Sequence, residues 1–482
     1  MATAGTVHTP SVSPEPAHPL PEPPEMTGGF AADASALADY AARADAFIDA
    51  LPPAPERDEA QRAAAAATHR PTRWLRSRFM AAHTEQVHDL LTDGGGDRPR
   101  IDVLADRAAT ELPGMVPTRD QLAAELTRIQ AHKEGREIDQ AILFAGLLGS
   151  ARAGTHLMES MLRPTSRALS LLDAFRRTGT ADLGSVLIER IAGIAHLEIR
   201  NPHCLNAEDN KLTEDLETAV DLALLDDDCH AGILRGTVMT HPRYAGRRVF
   251  SAGINLKHLH RGQISYVDFL LRREIGFIHK IKRGLLLDDT PRNWPHHTLE
   301  KPWVAAVDTF AIGGGMQILL VIDHVVADSD AFFSLPAAQE GIVPGVSNLR
   351  LTRQTGARTA RQIILSGRRI RATEPDARLI CDETVHSGDV GTAAERAAGQ
   401  LAGPAVVANR RMLDLAEEPQ DRFRAYLSSF ALAQGLRLYS ADVLAKVGAA
   451  WSDDSSGSAG ASDSGGTPGT GDGPHPGTEA GR

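Results

Sequence analysis

Lys301-Pro-Trp-Val-Ala-Ala-Val-Asp-Thr-Phe-Ala-Ile-Gly-Gly-Gly-Met-Gln317 reads as a β-strand, a bend, three consecutive glycines and the start of an apolar helix through Ile318 to Ile322. Glycine lets backbone approach a neighbour closely, and a helix start leaves N–H groups without intrahelical partners. Together they make an anion or oxyanion site, or a turn needed only for tight strand-to-helix packing. No G-x-G-x-x-G follows the strand, so a dinucleotide fingerprint is not supported.

Outward from this stretch, short runs rich in β-branched residues alternate with helical ones. The strands expected are Ala195–Arg200, Ala231–Gly236, Arg248–Ser251, Trp303–Val307 and His324–Ala327, with helical stretches over Ala207–Leu225 and Tyr266–Lys282 between them. Such alternation over about 200 residues argues for a wound α/β unit. Upstream, Leu37, Tyr40, Ala41, Ala44, Phe47 and Ile48 recur at helical spacing, and Trp74, Phe79, Val87, Leu90 and Leu91 continue it. Breakers at Pro52–Pro55, Gly94–Gly96 and Pro113-Gly114 divide this region into several helices. The expected organisation is a tail over 1–28, a helical domain over 29–184, an α/β core over 185–390, a helical region over 391–451 and a Gly/Ser-rich tail over 452–482.

Composition narrows the function. The 482 residues carry 51 Lys and Arg against 62 Asp and Glu, a net charge of −11, which argues against a nucleic-acid partner. No aliphatic run approaches the ~20 residues of a membrane span. The N-terminus lacks the basic-then-apolar pattern of a secretory signal, so the expected location is cytoplasmic. Cys204, Cys229 and Cys381 are too few and too widely spaced for a disulfide framework or a zinc knuckle.

Two further segments carry chemistry. Val249-Phe-Ser-Ala-Gly-Ile-Asn-Leu256 is a strand ending in a small-residue bend, where the N–H of Ile254 can turn inward; alone it is just a turn. Arg200-Asn-Pro-His-Cys-Leu-Asn-Ala-Glu-Asp209 leads a strand into a helix, with Asn206 read as the helix cap. With the glycine triplet and Phe333-Ser-Leu-Pro-Ala-Ala-Gln-Glu-Gly-Ile-Val-Pro-Gly345, these motifs in this order resemble the crotonase (enoyl-CoA hydratase/isomerase) superfamily. The resemblance implies a spiral ββα core, a homo-trimer or homo-hexamer, an acyl-CoA ligand, and an oxyanion hole built from the backbone N–H groups of Ile254 and Gly314. Gly253, Asn255 and Gly315, which flank those groups, are the implied neighbouring substrate contacts.

The departures are informative. Hydratases of the superfamily carry glutamates at the positions of Gln317 and Ala337, and neither an amide nor a methyl group can serve as general base. Alkene hydration is therefore not expected. Glu208 stands where the superfamily has an aliphatic residue, and is either a polar intrusion into the pocket or a solvated acid favoured by the helix dipole. Arg273 shares a helix face with Phe269, Leu270 and Phe277 and needs an acceptor there, whereas Arg272 falls on a neighbouring, solvated face.

Glu208, Arg273 and Gln317, with the long helical extension, resemble the cofactor-independent dioxygenases of that superfamily from glycopeptide-antibiotic biosynthesis. That implies conversion of 3,5-dihydroxyphenylacetyl-CoA and O2 to 3,5-dihydroxyphenylglyoxylate and CoA, with those three side chains lining the aryl pocket and with no metal, flavin or haem. A non-oxidative aryl-acyl-CoA thioesterase or isomerase, and an inactive acyl-CoA-binding subunit, are the alternatives. Ile254, Ile318 and Leu319 are candidate pocket wall, the last two reading more simply as core. No metal is expected: His83/Glu85 and His132/Glu134 lie in the helical region, and His196/Glu198 lies on a strand away from the glycines. For the α-proton, Glu340 and the substrate's own acidity are both candidates.

Overall fold

The computed structural model describes residues 20–452. The expected tails otherwise lie outside the described residues. Residues 20–28 are tied down rather than loose: Asp33 accepts hydrogen bonds from the Thr27 and Gly28 N–H groups at 2.8 and 3.0 Å, and Leu20 is buried.

A sheet of seven strands runs in the order Thr180–Asp182, Val186–Ile191, Ile194–Ile199, Ala231–Gly236, Trp303–Val307, His324–Asp328, Glu383–Val385. The first three pair antiparallel and the remainder parallel. The leading hairpin was not anticipated, although Ala192 and Gly193, both at positive φ, form the two-residue turn that closes it. In the parallel part, Gly232 sits opposite Trp303 and a Cβ there would collide with the indole, so glycine is what lets this buried tryptophan fit.

Arg248–Ser251 does not join this sheet. Its backbone is divided between two neighbours, in single bridges from Arg248 to Val238 and from Ser251 to Ala311. Ala311 belongs to a second, three-stranded sheet of Ile370–Arg371, Phe332–Ser334 and Phe310–Ile312, which delivers the chain to the glycine triplet.

The helix after the first parallel strand begins at Asn210, later than expected, with Asp209 as its cap: the Asp209 carboxylate accepts the Leu212 N–H at 3.0 Å. Asn206 instead adopts a left-handed conformation and ties Asn201 N–H to Val249 C=O, at 2.7 Å each. Replacing Asp209 by alanine is expected to cost about 1 kcal/mol of stability, read as a lower urea midpoint with an unchanged slope.

Phe30–Asp49, Glu59–Thr92, Ile101–Glu111 and Arg119–Leu126 are separate helices, broken at the expected prolines and glycines. Their core is continuous with that of Glu137–Gly149 and of Gln420–Arg437, a helix of the C-terminal region: Phe79, Phe144, Leu147, Phe423, Leu427 and Phe430 belong to one buried cluster. Each such side chain contributes about 1.5–3 kcal/mol of burial free energy. Val267 and Leu271 join the same cluster, fastening the segment that carries Arg273 to the helical layer.

That segment is not one helix. A π-helical turn, Tyr266–Leu271, runs into Arg272–Ile275, breaks at Gly276 and resumes over Phe277–Arg283. Gly276 allows Glu217 to approach, and the Glu217 carboxylate gathers Arg272, Lys280 and Arg100 at 2.8, 2.9 and 2.5 Å. Arg272, expected in solvent, is thus committed to a buried carboxylate, because the π turn shifts the helical phase.

Candidate active site

Two backbone segments meet where Arg248–Ser251 and Phe310–Ile312 end. Gly253, at φ +85°, lies so close to the glycine triplet that a Cβ would stand 3.1 Å from Ile312 O and 3.3 Å from Gly314 N. The contact is held by Glu208, whose N–H donates to Gly253 O at 2.7 Å and whose carbonyl accepts from Asn255 N–H at 2.8 Å. The Ile254 and Gly314 N–H groups have no hydrogen-bond acceptor among the described residues, the first because its chain bends away, the second because it opens the helix Gly314–Leu319.

Both residues line a cleft together with Gly253, Glu208, Arg273, Glu274, Gln317 and Glu340. Much of its wall is apolar: Phe269, Leu270, Leu335, Ala337, Ile342 and Phe430.

Arg273 organises the polar end. Its Nε donates to Glu208 at 2.6 Å, Nη1 to both Glu274 and Gln317 Oε1 at 2.8 Å, and Nη2 to Gly314 O at 2.6 Å. Glu208 also accepts from Ser251 Oγ at 3.1 Å, and Glu274 from Val346 N–H at 3.1 Å. All of these side chains are buried, and Phe277 packs its ring 5.8 Å from the guanidinium. Burial opposes the Arg273 charge, yet Glu208 and Glu274 more than offset it and hold the guanidinium above its ordinary pKa. Glu208 is therefore an intrusion of charge into the pocket, not a solvated acid.

Several expected contacts fall elsewhere. Gly315 packs against Ser251, where a Cβ would stand 2.7 Å from the Ser251 Cβ, so it serves close backbone approach and does not line the cleft. Asn255 caps the short helix Leu256–His260, its carboxamide oxygen accepting the His258 N–H at 3.1 Å, and is also off the cleft. Ile318 and Leu319 are core, whereas Ile254 is wall.

Glu274 was missed: a residue adjacent to an inward-facing arginine should point elsewhere on a regular helix, and the π turn before it and the break after it remove that regularity. Phe430 and Gln434 were missed because they arrive from the helix Gln420–Arg437, Gln434 accepting the Val343 N–H at 2.8 Å. Among the described residues no group of three or more His, Cys, Asp or Glu is placed to hold a metal ion. Glu198 of the His196/Glu198 pair is engaged by Arg248 and Thr237, and His83 pairs with Asp33 in the helical layer.

A family profile described as enoyl-CoA hydratase/isomerase matches residues 288–421. The chain is 55% identical over 416 residues, 86% of its length and 95% of the relative's, to a (3,5-dihydroxyphenyl)acetyl-CoA 1,2-dioxygenase from Amycolatopsis orientalis. It is 28% identical over 228 residues, 47% of its length and 78% of the relative's, to a short-chain-enoyl-CoA hydratase from Clostridium acetobutylicum. Among solved structures, an enoyl-CoA hydratase/isomerase from Xanthobacter autotrophicus superposes with a TM-score of 0.46 at 25% identity, covering 56% of this chain and 94% of that one. With a relative this similar along most of both lengths, and with the glycine-flanked N–H pair at the head of the cleft, the chain belongs to the crotonase, or enoyl-CoA hydratase/isomerase, superfamily.

Proposed function

We propose that this chain is a dioxygenase that converts (3,5-dihydroxyphenyl)acetyl-CoA and O2 into 3,5-dihydroxyphenylglyoxylate and CoA, without metal or organic cofactor. The observation that carries the reading is the junction, in one cleft, of two unpartnered backbone N–H groups with the Glu208–Arg273–Glu274–Gln317 cluster. The relative of that name, similar along nearly its whole length, supports the substrate. Gln317 and Ala337 both line the cleft, so the positions where hydratases keep glutamates face the ligand without a proton carrier.

The chemistry follows from the groups present. The thioester oxygen sits between the N–H groups of Ile254 and Gly314, whose donors are fixed before charge develops. Removing one such donor typically costs about 3–4 kcal/mol of barrier. At the other end, phenol hydroxyls donate to the Glu208 and Glu274 carboxylates, and the Gln317 –NH2, its carbonyl being committed to Arg273, donates to a phenol oxygen.

Loss of an α-proton gives an enolate conjugated with the aryl ring. It transfers one electron to O2, and recombination places a peroxide on the α-carbon. Attack of that peroxide on the thioester carbonyl expels the CoA thiolate; departure of the second α-proton breaks the O–O bond and leaves the α-keto acid. Both oxygen atoms enter the product, so no external reductant is needed. The apolar wall keeps water from protonating the carbanion.

The product suits a role as precursor of 3,5-dihydroxyphenylglycine in glycopeptide-antibiotic assembly. A cytoplasmic homo-trimer or homo-hexamer completes the reading, the three free cysteines being compatible with a reducing compartment. The test is oxygen uptake and thiol release by chelator-treated protein. We expect equimolar O2 consumption and CoA release, unchanged by chelation and absent without air. CoA release persisting without oxygen would identify a thioesterase, and binding without turnover an inactive subunit.

A further inference from the structure

Among the described residues, four titratable side chains line the cleft: Glu208, Arg273, Glu274 and Glu340. Arg273 is a permanent cation. Glu208 and Glu274 are each held by the Arg273 guanidinium and by a second donor, Ser251 Oγ and Val346 N–H respectively. Both carboxylates are committed to the cluster that positions the aryl group, which leaves neither free to take the α-proton.

Glu340 differs. It ends the short helix Ala337–Glu340, whose first residue also lines the cleft, so the two stand one turn apart on the same face. No hydrogen-bond donor reaches its carboxylate among the described residues, and its neighbours along the cleft wall are Leu335, Pro336, Ala337, Ile342 and Val343.

We propose that Glu340 is the general base that removes the α-proton, a role that rests on the aryl-acetyl thioester reading above. The Cα–H bond breaks, the proton passes to the Glu340 carboxylate, and the electron pair moves into the enolate. Negative charge thereby leaves Glu340 and appears on the thioester oxygen at the Ile254 and Gly314 N–H groups, with nothing else consumed.

Burial pushes the Glu340 carboxyl up to about 7, Lys446 acting in the opposite sense. The other charges around it are Arg437 and Asp442, paired with each other beside Gly341, and the Glu208–Arg273–Glu274 cluster across the cleft. A base must be ionised to act, so kcat rises with pH through about 7 and levels above it.

The test compares the wild-type chain with Glu340→Gln in oxygen uptake, using ordinary and α-dideuterated (3,5-dihydroxyphenyl)acetyl-CoA. We expect Glu340→Gln to bind the thioester unchanged but to lose about 10²–10⁴-fold in kcat, with a larger deuterium isotope effect and no inflection near neutrality. Glu340→Asp, which keeps a displaced carboxylate, retains the inflection at reduced rate and serves if the glutamine variant does not fold. Wild-type turnover with undiminished kcat in either folded variant, the glutamine one or an aspartate one lacking any pH inflection, overturns the base alone. Absence of turnover by the wild-type chain overturns the thioester reading and the base with it.

Discussion

Arg273→Met is expected to abolish oxygen uptake and to lower the unfolding free energy by about 3–5 kcal/mol near pH 8. The side chain is buried, and its guanidinium is the shared counter-ion of Glu208 and Glu274. Methionine fills much of the space but leaves two buried carboxylates without a cation, and two such groups cannot both stay ionised at low cost. One takes up a proton on folding, so the penalty is full at high pH and shrinks as pH falls.

Urea unfolding of wild type and variant at pH 8 and pH 5 checks this: the gap between them should narrow at the lower pH. Adding Glu208→Gln to Arg273→Met should recover part of the lost stability, because it removes one stranded charge, while activity stays absent. A gap independent of pH would mean that the lost stability comes from packing against Phe277 and not from the ion cluster.

This cluster also shows what a sequence reveals and what it conceals. The glycine triplet and the Ser-Ala-Gly-Ile bend are legible because their meaning is local: small residues between strand and helix bring unpaired N–H groups close together wherever they occur. The expected α/β unit with helical regions around it is likewise the observed architecture, since strand and helix periods differ sharply. Arg273 is legible as a charge on an apolar face.

Glu274 is not, because a π turn and a broken helix set its direction, and those depend on Glu217, more than fifty residues earlier, drawing in Arg272 and Lys280. Gly315 and Asn255, expected beside the substrate, lie off this cleft for a related reason. A glycine for close packing and a glycine for ligand approach have the same letter, as do an asparagine that caps a helix and one that binds substrate. Phe430 and Gln434 enter through a helix far along the chain, which no local pattern reports.

Gly314→Ala is expected to lower kcat about 10²–10³-fold, the loss typical of removing one oxyanion donor. The N–H survives the substitution, but a Cβ at this position would collide with the Glu208 carboxylate, so either the helix start or the carboxylate must move. Either movement separates the donor from the aryl-binding cluster, because the carbonyl of the same residue accepts the Arg273 Nη2–H at 2.6 Å.

Ile254→Ala provides the contrast. It leaves the backbone N–H in place and trims only the wall, so kcat should fall far less than in Gly314→Ala even though more side-chain atoms are removed. Steady-state oxygen uptake for the two variants, with thioester binding measured separately, tests the pair. A larger kcat loss for Ile254→Ala would place the contribution of that segment in its side chain and would count against a backbone oxyanion site.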